Sequence, residues 1–202
     1  LKDKGINVLK NHGGVGQRLM DHPSINIASF IKPEARINEY SRRHLLVGMR
    51  YSSGLKNIPK GDMYVAVCSK TAWHSIGDQL AAFILFVDRT YSETGQVRLS
   101  TTDPNDEPIV EFNLLSDERD LIRLMEGFRK MVLIQQTESF QRISKEVFAA
   151  VYGDKVRQVG KVNLQNKLLT KVFSKMLDGP DALRRYLPVS YTHLRAHETS
   201  LH

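Results

Sequence analysis

The sequence predicts an α+β fold, mainly antiparallel sheet packed with helices, and three observations lead to it. Apolar segments of strand length crowd the stretch from Ser24 to Ser100. Segments with helical spacing crowd the stretch from Asp117 to Leu177. Strands and helices do not alternate regularly, which argues against a parallel βαβ arrangement. With 202 residues, 41% of them hydrophobic and 25% charged, the chain has the balance of a globular protein that buries a sizeable core.

The first residues read as the end of a helix closed by Gly5, then a short strand over residues 6–9. Gly13, Gly14 and Gly16 follow as a loop, so the opening segment has the look of the tail of an α/β layer. Strands are expected at residues 24–31, 45–51, 62–68 and 81–87. The last of these is apolar on both faces and belongs in a sheet interior. Residues 96–100 alternate, with Val97 and Leu99 on one face, and lead into the turn Asp103-Pro104-Asn105-Asp106.

The clearest helix begins at Asp117, whose carboxylate can accept from first-turn amides, with Glu118 and Asp120 near the positive end of the dipole. Its spacing puts Leu121, Leu124, Met125, Phe128 and Val132 inward and leaves Arg119, Arg123, Glu126 and Lys130 outside. A second helix is expected over residues 139–151, through Phe140, Ile143, Val147 and Val151. A third runs over residues 163–177, packing through Leu164, Leu168, Val172 and Met176 and stopped by Gly179-Pro180.

Charge and cysteine usage exclude several function classes. The net charge is +7, but the basic residues are scattered among acids, which argues against a nucleic-acid partner. Cys68, the single cysteine, rules out an intrachain disulfide and sits in an apolar run as a buried thiol. The run from Leu80 to Val87 is too short to cross a bilayer, so no transmembrane segment is expected. Leu1-Lys2-Asp3-Lys4 does not resemble a signal peptide, which leaves the cytoplasm as the default compartment. Trp73-His74 reads as a surface or core pair.

Two separated segments carry a family resemblance. Gly5-Ile6-Asn7-Val8, followed by Gly14-Val15-Gly16-Gln17-Arg18-Leu19-Met20-Asp21-His22-Pro23, is one. The other runs from Gly95 through Asp103-Pro104 and Pro108 to Asn113-Leu114-Leu115 and Asp120. In this order they resemble the glucose-methanol-choline (GMC) oxidoreductases. Departures at Gly13, Arg18 and Leu114-Leu115 blur the subfamily, and the choline branch is not favoured.

The resemblance implies an FAD cofactor and an enzyme that takes a hydride from the CH-OH group of a small-molecule alcohol. It implies that residues 1–23 end an FAD-binding α/β domain, of which they are a short remnant, and that residues 24–188 belong to the substrate-binding and C-terminal region. Gly14, Gly16, Asp21 and His22 become the candidate flavin-side residues. His22 before Pro23 is held extended, and as a catalytic base it is less favoured than as a capping or core residue. The family's Gly-x-Gly-x-x-Gly turn and its His-Pro-x-Gly-Thr segment do not occur in these residues, so no catalytic residue is assigned and the chain by itself is expected to be inactive. The alternative is a non-catalytic α+β ligand-binding module.

Residues 189–199 resemble the translation of a transposase sequencing adapter, and residues 189–202 are therefore expected to be a non-native tail on an internal fragment. That reading removes His193, His197 and Glu198 as a metal-binding set, although histidines four apart share a helix face.

Overall fold

The computed structural model describes residues 1–37, 43–150 and 153–180. It has the expected α+β architecture, organised around two antiparallel sheets. Strands β1 (Gln17–Leu19), β6 (Gly95–Arg98) and β7 (Ile109–Glu111) form a small sheet in the order β1-β6-β7. Strands β2 (Ser24–Ile31), β3 (Leu45–Tyr51), β4 (Met63–Cys68), β5 (Leu80–Val87) and β8 (Ser144–Ala150) form the main sheet in the order β3-β4-β5-β2-β8. The helices are α1 (Glu118–Gln135), α2 (Glu138–Ile143), α3 (Asp154–Gly160) and α4 (Leu164–Asp178).

The β2–β5 register pairs Ile25 with Leu85, Ile27 with Phe83 and Ser29 with Ala81. Side chains alternate along a strand, so all six share a face, and α1 packs on that face. Ile27, Met63, Val65, Phe83, Leu85 and Val87 meet Leu124 and Met131 of α1 there, all buried. The Ser29 hydroxyl donates to Gln135 Oε1, and Gln135 Nε2 donates to the Ile27 carbonyl at 3.3 Å, so this core carries its own polar tie. Glycine at 127 permits the contact: a Cβ there would sit 2.7 Å from Tyr51 Oη and 2.8 Å from Leu85 Cδ2.

The face of α1 is as expected at Leu124, Phe128 and Val132, which pack in the core, and differs elsewhere. Asp120, Arg123, Leu124, Gly127, Met131 and Gln135 are buried, while Leu121 and Met125 lie outside at 41% and 47% exposure. Hydrophobic spacing alone misplaces Arg123, because buried carboxylates compensate its charge and turn the polar position inward.

The second expected helix ends at Ile143, and the chain continues as β8, hydrogen-bonded to β2. Residues 144–150 satisfy the backbone groups of β2 that would otherwise be unpaired beside an interior sheet; Val151 lies outside the described residues. Lys32 completes the junction, its Nζ donating to the carbonyls of Gln141 and Arg142 at 2.9 and 2.8 Å, where a cation suits the negative helix end. Residues 6–9 form no strand, because no neighbouring strand pairs with them; a 3-10 turn over Lys2–Lys4 does end at Gly5.

Helix α4 has the expected extent, with Asn163 accepting from the Asn166 amide at 2.7 Å. Its packing differs at three of the four expected positions: Leu164, Leu168 and Val172 are exposed, and Thr170, Ser174 and Leu177 are buried. The Thr170 and Ser174 hydroxyls donate within their own helix, to the Asn166 and Lys171 carbonyls, so they can be buried without an orphaned donor. Leu177, with Phe173 and Met176, packs on Phe30, Leu80 and Phe148. Those residues lie on the main-sheet face opposite α1, at one end, so α4 covers part of that face. Among the described residues no helix is long and apolar enough to cross a membrane.

Candidate functional site

Three features can be weighed as a site: the strip containing residues 14–22, a buried ion network beside α1, and the main-sheet face that α1 does not cover.

In the strip, Gly14 lies in a turn where its amide meets His12 Nδ1 at 3.4 Å. Gly16 has φ +74°, and a Cβ there would sit 2.5 Å from the Val97 carbonyl oxygen. Its own carbonyl accepts from the Val97 amide at 2.9 Å. Glycine is therefore required here by the close approach of β6. Asp21 Oδ1 accepts from the His22 amide at 2.8 Å. His22 Nδ1 lies 3.2 Å from the Val87 carbonyl, which only accepts, so Nδ1 is the donor. The Val87 amide in turn donates to the Pro23 carbonyl at 2.9 Å, locking the strip to the end of β5. The four candidates thus lie along one exposed strip and do not converge on a pocket. The polar contacts that hold these four residues are to neighbouring parts of the chain.

The ion network joins three segments. Arg123 Nη1 donates to Asp62 Oδ2 at 3.2 Å, Nη2 donates to Asp120 Oδ1 and to the Arg89 carbonyl at 2.8 Å, and Nε donates to the Arg119 carbonyl at 3.1 Å. Arg123, Asp62 and Asp120 are all fully buried. Asp120 also accepts from the Thr90 and Ser92 hydroxyls and from the amides of Tyr91 and Ser92. Burial pushes both carboxyls up, but the Ser53 and Arg123 hydrogen bonds outweigh it at Asp62, and those from Thr90, Ser92 and Tyr91 outweigh it at Asp120. Both pKa values are therefore held below the ordinary range. The network fixes the chain between β5 and β6 onto α1. It is architecture, and the signal for it was the Asp120–Arg123 spacing of three on a helix.

The uncovered face is built from the alternate residues of the same strands. Asn26 pairs with Ile84, Ser24 with Phe86, and Tyr64 with Phe86. The Tyr64 and Phe86 rings lie 6.0 Å apart at 38°. Tyr64 lies across Gly48, where a Cβ would be 2.4 Å from its hydroxyl oxygen, so this edge of the sheet is shaped to let the ring lie flat. Asn26 Oδ1 is buried and has no hydrogen-bond partner among the described residues. The sequence did contain a signal, a lone carboxamide between Ile25 and Ile27 in a strand that lies inside the sheet.

Trp73 is exposed and His74 half-buried, with Trp73 Nε1 donating to the Gly160 carbonyl at 2.7 Å and His74 Nδ1 accepting from the Gly77 amide at 3.2 Å. Burial lowers the His74 pKa, with Asp78 opposing. His193, His197 and Glu198 lie outside the described residues, and the described residues contain no cluster of metal-ligating side chains.

Comparison with known proteins shows what this chain is similar to. Residues 90–176, which include β6, β7, α1 and the ion network's Arg123 and Asp120, match the family described as GMC oxidoreductase. Over 129 residues the chain is 36% identical to 5-(hydroxymethyl)furfural oxidase of Methylovorus sp. (strain MP688). These matches support the GMC oxidoreductase family for this chain. The matched region is 62% of this chain and 23% of that relative, so the chain spans about a quarter of the relative's length. Its fold is similar to that of formate oxidase, with a TM-score of 0.59 at 18% identity over 77% of this chain and 36% of that one. A variant of formate oxidase from Aspergillus oryzae RIB40, characterised for its effect on FAD modification, gives 0.60 at 18% identity, covering 76% and 36%. At these identities the structures speak to the fold of this chain and not to its substrate.

Proposed function

We propose that this chain supplies the substrate-side sheet of an FAD-dependent oxidoreductase that acts on the CH-OH group of a small-molecule alcohol. The observation that carries the reading is the two-sided sheet within a chain similar to the GMC oxidoreductases. One face is closed by α1 and its ion network, and the other is partly open, lined by Asn26, Tyr64, Ile84 and Phe86. The likeness to a protein named for a hydroxymethyl compound supports an alcohol as donor. In this class of reaction FAD, when bound, accepts the hydride lost by the alcohol carbon.

The chain's own residues do different work. The strip of Gly14, Gly16, Asp21 and His22 forms the flavin-side edge, residues 1–23 adjoining the flavin domain and residues 24–188 the substrate region. Its contacts make it an abutting surface, so pyrophosphate binding and the proton-accepting histidine are supplied outside the described residues. The main sheet orients the alcohol and excludes water with its aromatic and aliphatic side chains.

The test is to express the complete reading frame that contains this segment, load it with FAD, and follow consumption of a panel of primary alcohols including 5-(hydroxymethyl)furfural. FAD-dependent formation of the aldehyde supports the reading. Alcohol binding with no turnover and no flavin requirement contradicts it and favours a non-catalytic ligand-binding module.

A further inference from the structure

An unpaired polar atom on the open sheet face calls for a partner. Asn26 lies on β2, an interior strand, and its side chain points away from α1, because Ile25 and Ile27 take the α1 side. Its Oδ1 is buried without a hydrogen bond among the described residues, a state that is costly and uncommon in folded proteins. The nearest cross-strand residue is Ile84, which has no donor to offer, and the β8 partner is Ala150. Phe86 is the diagonal neighbour on β5, a position typically about 7–8 Å away, and it carries Tyr64 beside it. Four residues along β2, roughly 13 Å away, Phe30 is already covered by α4. Asn26 therefore stands beyond the part of the face that α4 covers, next to a half-buried pair of aromatic rings.

We propose that Asn26 is a specificity-determining residue whose carboxamide hydrogen-bonds the hydroxyl of the bound alcohol, while the Tyr64–Phe86 pair forms the wall against which a flat ring lies. The proposal rests on the function proposed above. A carboxamide oxygen is satisfied by an O–H donor, which an alcohol has and its methyl analogue lacks. Flat-ring substrates suit the site because aromatic faces offer large apolar area in an offset or tilted arrangement.

The experiment uses the FAD-loaded complete protein and the variant Asn26→Leu, which is close in shape and apolar. Two ligands are compared: 5-(hydroxymethyl)furfural as substrate and 5-methylfurfural as competitive inhibitor. The expected result is a KM for the hydroxylated ligand raised about tenfold, the effect of one hydrogen bond. The inhibition constant of the methyl analogue stays within about twofold, and the melting temperature is unchanged or higher, since an orphaned polar atom has been removed. Equal KM values in wild type and variant overturn the proposal. So does a parallel rise in KM and inhibition constant, which would mark a change of shape and not a lost hydrogen bond. If Asn26→Leu fails to fold, the same comparison is made with Asn26→Ser, for which loss of discrimination between the two ligands is again required. A wild-type protein that oxidises no alcohol contradicts the proposed function itself, and that outcome is read before any variant is made.

Discussion

Replacing Arg123 by methionine removes the only guanidinium between two buried carboxylates, and the structure says how the damage divides. Asp120 keeps the Thr90 and Ser92 hydroxyls and the amides of Tyr91 and Ser92. Asp62 keeps the Ser53 amide at 2.8 Å and loses its ion-pair partner among the described residues. The cost falls chiefly on Asp62, and breaking a buried pair from one side typically destabilises by about 3–5 kcal/mol. For a chain of this length that lowers the melting temperature by on the order of 10 °C. Urea denaturation followed by circular dichroism measures it, and adding Asp62→Asn should recover about 1–3 kcal/mol through the coupling of the two sites. The pH dependence gives a second reading. In the wild type the Asp62 carboxyl is held low, so its stabilisation is present above the unfolded carboxylate value of about 4 and is lost as pH falls through the lower folded value. Without Arg123, burial dominates and the folded value rises, so the variant gains stability on acidification from neutral pH. A loss below about 1 kcal/mol, or the same pH trend in both proteins, would refute the assignment of the network as the clamp between α1 and β4.

Gly16→Ala combines a left-handed backbone with a Cβ 2.5 Å from the Val97 carbonyl, so it should cost more than about 1 kcal/mol and speed hydrogen exchange at the Val97 amide. Tyr51 has a pKa pushed up to about 12 by burial and by Asp62 nearby. The unfolded chain releases this proton first, so stability should fall as pH rises from about 10 to about 12, and Tyr51→Phe should remove that slope at little or no cost because the hydroxyl is unpartnered. Asn163→Ala removes the N-terminal cap of α4 and should cost about 1 kcal/mol by thermal denaturation.

The central strands were legible because each is long and apolar enough to identify itself: β2, β3, β4 and β5 lie where residues 24–31, 45–51, 62–68 and 81–87 place them. The start of α1 was legible through the Asp117 cap, which accepts from the Arg119 amide. What could not be read depends on distant partners. Strands β1 and β7, three residues each, exist because β6 lies between them, and β8 exists because β2 has an edge to fill. Hydrophobic spacing placed Leu124, Phe128, Val132 and Met176 correctly and misjudged other positions of both long helices. Arg123 is inside because Asp62, 61 residues away, meets it. Leu164, Leu168 and Val172 are outside because α4 docks through its C-terminal half, where Thr170 and Ser174 hide their hydroxyls against their own backbone. At the candidate site, Gly16 was singled out correctly as constrained, but the constraint is β6. Asn26, the residue with an unanswered hydrogen bond, attracts notice only once the sheet shows which way it points.

The central claim, that this sheet serves an FAD-dependent alcohol oxidation, is tested most directly by mixing the FAD-loaded complete protein with 5-(hydroxymethyl)furfural in the absence of oxygen and watching the flavin absorbance. The account predicts that the oxidised flavin band bleaches as one aldehyde forms per flavin, and that 5-methylfurfural leaves it unchanged. A protein that binds FAD yet keeps its flavin oxidised with this and every other alcohol offered would contradict the account.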